Sequence, residues 1–218
     1  MNTIARRTIT ALTTAALVVL AVIYAPVSVI GLAVSFLVVL AYGEYLLLLS
    51  RRFGSVAKVP PWWFGIGLVF LLGVMALPLA AKWHGNLMML YLLAIVKISD
   101  MGGFAAGVSS AKLMRGGNHK LCPTISPNKS WEGLAGSVTA SCILSCCFMP
   151  ITHFVLWKAL AFGVVAALVG TFGDLVESKF KRWVGVKDSS TFMPAGMGGF
   201  LDMLDSLLIA PAALLPFV

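Results

Sequence analysis

The chain has 218 residues, of which 60% are hydrophobic and only 11% charged, with a formal net charge of +8. That balance excludes an ordinary soluble domain, in which about a quarter of the residues are charged, and it makes lipid the solvent the sequence fits. It also excludes a basic arm or recognition helix, because the charges are scattered through short segments between apolar runs; no nucleic-acid partner is expected.

A helix needs about 20 apolar residues to cross the hydrocarbon core, and seven runs approach that length. In chain order they are Thr8 to Tyr24, Pro26 to Leu49, Trp62 to Ala80, Leu87 to Val108, Gly133 to Pro150, Phe154 to Phe172 and Gly199 to Phe217. The fold expected is therefore all-α, a polytopic transmembrane helical bundle of about seven spans, with residues 1–218 forming one integral membrane domain. The first run follows Arg6 and Arg7 and is short, so a cleaved signal peptide competes with a span. A retained span is expected, since a second apolar run follows at once.

Short cytoplasmic loops carry excess Lys and Arg. With the amino end inside, 13 of the 16 basic residues fall on the inner side; the exceptions are Lys82, Lys97 and Lys158. The N-terminus is therefore expected in the cytoplasm. Two long inner loops follow from this topology, Ser109 to Glu132 and Asp174 to Gly198, and function is expected on that face. Gly103 and Gly107, with Gly163, Ala166, Ala167 and Gly170, read as helix-packing surface. The four cysteines lack metal-ligand spacing and read as buried or reduced thiols.

The eight acids are Glu44, Asp100, Glu132, Asp174, Glu177, Asp188, Asp202 and Asp205. On this topology Asp100 lies in the inner half of the fourth span, Glu132 opens the fifth, Asp174 and Glu177 end the sixth, and Asp202 and Asp205 enter the seventh. Spacing of three puts each of the last two pairs on one helix face. Carboxylates crowded at low dielectric repel unless a cation is present, which favours a divalent metal. Intramembrane acids are functional by default, but plainer readings stand beside that one. Lys97 pairs with Asp100 on one helix, Asp174 with Lys181 or Arg182, and Ser130 is a helix N-cap as readily as a phosphate ligand. Asp202 and Asp205 have no basic neighbour in sequence. The loop before the fifth span offers Ser126, Lys129 and Ser130 to an anion, and Ser178-Lys-Phe-Lys-Arg182 with Lys187-Asp188 offers more, or serves only as a positive-inside signal.

Three stretches carry a resemblance to the phosphatidate cytidylyltransferase family, also called CDP-diglyceride synthases. They are Ser99-Asp100-Met-Gly-Gly-Phe-Ala-Ala-Gly107 with Ile125-Ser-Pro-Asn-Lys-Ser-Trp-Glu-Gly133, then Gly173-Asp-Leu-Val-Glu-Ser-Lys-Phe-Lys-Arg182 with Lys187-Asp188, then Gly198-Gly-Phe-Leu-Asp-Met-Leu-Asp-Ser206. The resemblance makes residues 99–218 the catalytic half and leaves residues 1–98 as spans of weak likeness. Met197 and Met203 stand where the family usually has His and Arg, and the spacing from Lys187-Asp188 to Gly198-Gly199 is one residue longer.

What the resemblance implies is transfer of a cytidylyl group from CTP to phosphatidate, giving CDP-diacylglycerol and pyrophosphate in phospholipid biosynthesis. It implies Mg²⁺ on Asp174, Asp202 and Asp205, with Asp100 a further ligand or outer partner. Ser126, Lys129 and Glu132 are expected to hold CTP, and Lys181 and Arg182 to face the lipid phosphate or the leaving pyrophosphate, supported by Lys187. The partners expected are CTP, phosphatidic acid, membrane lipid and, as an assembly, a homodimer. The location expected is the bacterial inner membrane, with the site facing the cytoplasm. A CTP-using polyprenol kinase-like enzyme is the enzymatic alternative. A cation-coupled transporter is the other, although its ionisable groups belong near the midplane with access from both sides.

Overall fold

The structure, a computed structural model, describes residues 16–114, 117–186 and 199–218. Among these, five helical segments are long and apolar enough to cross a membrane: Val27–Phe53, Pro61–His84, Asn86–Leu113, Leu156–Val184 and Phe200–Phe217. The chain is thus an all-α membrane protein, with one small hairpin added.

Residues 16–24 are helical and run up to Pro26; the start of that first run lies outside the described residues. Helix α1, Val27–Phe53, buries Ala41, Glu44, Tyr45, Leu48 and Leu49 at three- and four-residue spacing. Its other face exposes Leu32, Phe36 and Val39. Both faces are apolar because lipid tails are as apolar as a protein core, so burial here is decided by fit and small residues rather than by amphipathicity.

Pro61 opens α2, Pro61–Leu72, where a missing N–H costs nothing. A 3-10 turn at Gly73–Met75 leads into α3, Ala76–His84. Helix α4, Asn86–Leu113, packs on α5, Trp131–Cys147, through Gly102, Gly103 and Gly107 on one side and Gly133, Gly136 and Ser137 on the other. This close backbone approach is the role expected for Gly103 and Gly107.

The fifth apolar run does not form one helix. Its 17-residue helix α5 stops at Phe148, and a short α6, Met149–Thr152, follows with Pro150 in its first turn. Proline supplies no amide for the continuing ladder, which is why the break falls there.

Conversely, α7 runs from Leu156 to Val184, 12 residues past the expected end of the sixth span. The segment expected to open a loop at Asp174 is helical instead, because its charges find partners along and across the helix. Glu177 meets Lys181 at i,i+4, and Asp174 meets Lys129. The last run is broken as well: α8, Phe200–Leu204, gives way to a 3-10 turn at Asp205–Leu207, then α9, Ala210–Leu214, and a final turn at Leu215–Phe217. Asp202 and Asp205 consequently do not share a face of one regular helix.

The loop between α4 and α5 holds the hairpin. Strands β1, Lys120–Cys122, and β2, Ser126–Ser130, pair antiparallel with Lys120 opposite Ser130. Asn118 Nδ2 donates to Gly107 O at 2.9 Å, and Trp131 N–H donates to His119 O at 3.0 Å, strapping the hairpin to the helix ends.

Candidate active site

The hairpin brings Lys129 over α7, where its Nζ lies 2.6 Å from Asp174 Oδ2 and donates to Thr171 O at 3.4 Å. Both partners are largely buried, so this is a pair held out of water rather than a loose surface contact. Beside it opens a cavity of about 240 Å³, whose lining includes Asp100, Ser126, Lys129, Ser130, Ser137 and Asp174. Four of the residues expected from sequence thus meet at one cavity: Asp100, Ser126, Lys129 and Asp174. Ser130 is here a helix cap as well, its Oγ accepting from Gly133 N–H at 3.0 Å.

Asp205 approaches the same point from the carboxyl-terminal segment. Gly173, next to Asp174, makes this approach possible, because a Cβ there would meet Asp205 O at 2.9 Å. The carboxylates of Asp100, Asp174 and Asp205 are near enough to repel one another. Lys97 stands at the edge of this group, 3.9 Å from Asp100 Oδ2, and donates to Ser206 Oγ at 3.0 Å and Met203 O at 3.2 Å. It therefore links α4 to the segment carrying Asp205 rather than serving Asp100 alone.

Asp202 goes elsewhere. Lys181 Nζ lies 2.7 Å from Asp202 Oδ1 and 2.6 Å from Glu177 Oε2, and Asp202 Oδ2 accepts from Gly199 N–H at 2.9 Å. Since Lys181 is seven residues beyond Asp174 on α7, this second cluster sits about 10 Å along the helix axis. From α1, Glu44 Oε2 accepts the Leu201 N–H at 3.0 Å, fixing the entry to α8 one residue before Asp202. Glu44 is fully buried.

The other expected residues stand apart from both clusters. Glu132 turns to the loop, where His119 Nδ1–H donates to Oε1 at 2.6 Å and the His119 amide donates to the same carboxylate. Its loop-facing carboxyl is lowered to about 2, first by the His119 side chain and then by backbone amides. Arg182 is exposed and donates to Val186 O at 3.2 Å. Lys187 and Met197 lie outside the described residues.

Among the described residues no three His, Cys, Asp or Glu side chains are grouped at metal-ligand spacing. That spacing suits a structural cage, whereas Mg²⁺ is commonly held by one or two carboxylates, the rest of its shell being water and substrate phosphate. The acid set fits this second mode. Asp174 Oδ1 is buried and has no hydrogen-bond partner among the described residues, and a carboxylate oxygen left so is costly unless something positive meets it.

Glu44, Glu177 and Lys97 are the participants that sequence reasoning weighed least. Glu44 showed in the sequence as a lone acid in an otherwise apolar span, and it added only a little to the family resemblance. Glu177 was visible as the i,i+3 neighbour of Asp174, but its bond is to Lys181.

These features define an integral membrane protein with ionisable side chains gathered among its helices. The match to known proteins makes the class specific. Residues 62–218 match the model of the cytidylyltransferase family, and the chain belongs to that family. The match reaches upstream of the 99–218 half to include α2 and α3. Among its relatives, a phosphatidate cytidylyltransferase of Staphylococcus aureus is 36% identical over 188 residues, covering 81% of this chain and 64% of that protein. One from Staphylococcus saprophyticus is 38% identical over 146 residues, 66% of this chain and 51% of the relative. One from Mycobacterium tuberculosis is 42% identical over 118 residues, 53% of this chain and 33% of the relative. The chain thus spans between a third and two-thirds of these relatives' lengths.

Proposed function

We propose that this protein transfers the cytidylyl group of CTP to phosphatidate, forming CDP-diacylglycerol and pyrophosphate. An oxygen of the lipid phosphate attacks the α-phosphorus of CTP, and the bond to the β-phosphate breaks. No strong base is needed, because a phosphate monoester with a second pKa of about 6 is already mostly dianionic at neutral pH. Positioning and charge neutralisation therefore carry the reaction, and Met197 and Met203 in place of His and Arg leave that requirement intact.

The observation that carries the proposal is the buried Lys129–Asp174 pair at a cavity shared by Asp100 and Ser126, in a chain of the cytidylyltransferase family. Lys129 and Ser126 are assigned to the CTP phosphates. Lys181 is assigned to the lipid phosphate, with Arg182 and Lys187 in support, and Glu132 to holding the CTP loop through His119. Asp174 and Asp205 are assigned to Mg²⁺, with Asp100 beside them, and Asp202, on α8 in the second cluster, is assigned to holding Lys181 toward the lipid phosphate. When bound, Mg²⁺ neutralises phosphate charge.

The basic residues support seven spans with the amino end inside, an inner bacterial membrane location and a cytoplasmic site. A homodimer completes the proposed assembly. The test is conversion of labelled CTP and phosphatidate by the purified protein, with and without Mg²⁺. CDP-diacylglycerol should form only with the metal and be lost in Asp174→Asn and Asp202→Asn variants that remain folded. CTP consumed with polyprenols and not with phosphatidate would overturn the substrate assignment.

A further inference from the structure

A second cleft, of about 310 Å³, lies between α1, α2, α7 and the carboxyl-terminal segment. Its wall is aromatic: Trp63 stacks on Trp183 with centroids 4.6 Å apart, and Tyr45 stacks on Phe180 at 4.9 Å. Tyr45 Oη–H donates to Trp63 O at 2.9 Å, and the Tyr45 ring lies against Gly67, where a side chain would collide with it. The wall is therefore fixed in place rather than formed by mobile side chains.

One side of the cleft opens at Ile66, on the face of α2 that also exposes Val69 and Leu72, which in an all-α membrane protein is a face toward lipid. The other end is basic. Lys179 lies in the wall, Arg52 stands 5.5 Å over the Trp183 ring, and Glu177 of the wall is bonded to Lys181. Leu201, also in the wall, precedes Asp202, the other partner of Lys181.

We infer that this cleft takes one acyl chain of the lipid substrate, with the anionic headgroup phosphate drawn to the basic end at Lys181. The inference rests on the function proposed above and adds a chain-recognising subsite to it. Water is a poor occupant, because the lining offers almost no polar partners. The headgroup sign follows from Lys179 and Arg52, which add their charges to a Lys181 already paired with Glu177 and Asp202 and favour a phosphate monoester over a zwitterionic lipid. A tail leaving bulk lipid for this cleft gains little hydrophobic free energy, since the two environments are equally apolar. Selection must come from shape, and a rigid aromatic wall discriminates chains by whether they fit.

The experiment uses the full chain in nanodiscs with two lipids carrying the same diazirine-bearing acyl chain, a phosphatidate and a phosphatidylcholine. The phosphatidate should label peptides of α2 and of α7 around Phe180 about tenfold more than the choline lipid, a difference that with identical chains reports the charged end of the cleft. Ile66→Trp and Phe70→Trp, which narrow the cleft from its rim, should lower labelling and reduce turnover of long-chain phosphatidate about tenfold relative to dihexanoyl phosphatidate. Equal labelling by both lipids, or loss of turnover independent of chain length, would overturn the subsite even with CDP-diacylglycerol formed. Selective labelling without any CDP-diacylglycerol formation would instead sustain the subsite and sink the proposed reaction.

Discussion

Lys181 is the residue whose removal tests the charge architecture most directly. Its ammonium sits between Glu177 and Asp202 at 2.6 and 2.7 Å, and the side chains of the three are 12%, 2% and 17% exposed. Lys181→Met keeps the length and the apolar stem but leaves two mostly buried carboxylates without their cation. Breaking a buried pair in this way costs about 3–5 kcal/mol, because the orphaned charge stays desolvated. For a chain of this size each kcal/mol moves the midpoint by about 2–4 °C, so the loss should be about 6–20 °C. Thermal unfolding in detergent, followed by fluorescence of the tryptophans, reads it. Adding Glu177→Gln to Lys181→Met removes one of the two stranded charges and should restore a substantial part of the midpoint. Lys181→Met melting with the wild type, or the double variant melting lower than the single one, would refute the argument that Lys181 compensates these acids.

Other consequences follow from the same geometry. Lys129→Met should raise the KM for CTP at least tenfold while leaving phosphatidate binding near wild type, read by steady-state kinetics with each substrate varied. Glu44→Leu removes the acceptor for the Leu201 amide and should lower kcat by more than tenfold, about the effect of leaving a buried amide unpaired. Glu44→Gln keeps an acceptor oxygen and should restore most of the rate. Gly173→Val drives a side chain into the Asp205 carbonyl and should abolish Mg²⁺-dependent turnover in protein that still extracts as a monodisperse species. The Glu132 carboxyl is lowered from 4.5 to about 2 in the folded loop, so its contribution is complete above the unfolded value and fades only as pH falls toward 2. Loop proteolysis near Lys120 should therefore be flat from pH 6 to 8 and accelerate in Glu132→Gln across that range.

The spans were legible because a lipid-facing helix needs a long apolar run, and such runs survive in the sequence whatever the helices pack against. The ends were not. Charge was taken to mark the limit of the sixth span at Phe172, yet α7 continues to Val184 because Asp174, Glu177 and Lys181 are neutralised by partners from β2, α8 and α7 itself. Such pairing depends on distant residues and leaves no local mark. The same blindness joined Asp202 to Asp205: their spacing fits one helix face, and only the change to a 3-10 turn at Asp205 separates them. The hairpin of Lys120–Cys122 and Ser126–Ser130 was hidden by its brevity and by Pro127 within it. What sequence motifs did give was the set of residues at the cavity, since Asp100, Ser126, Lys129 and Asp174 belong to segments named in advance.

The balance of charge inside the bundle shows why a cation belongs in the proposal even though no ready cage is present among the described residues. Glu44, Asp100, Asp174, Glu177, Asp202 and Asp205 gather along the site, against the three ammonium groups of Lys97, Lys129 and Lys181. Three oxygens, one each on Glu44, Asp174 and Glu177, are buried without a partner among the described residues. An excess of this kind is tolerable only if protons or metal ions offset it. Protonation would remove the attraction that keeps Lys129 and Lys181 in place, at the positions assigned to the substrate phosphates. A divalent cation offsets the excess while leaving both lysines charged, and it is the species that triphosphate oxygens bring with them into a site. The same arithmetic orders the events: lysines released toward phosphate need the acids they leave to be met by the metal, so CTP should bind more tightly in its presence. Isothermal titration with CTP and Mg²⁺ added in either order tests this, and equal affinity with and without the metal would remove the reason for the excess of acids.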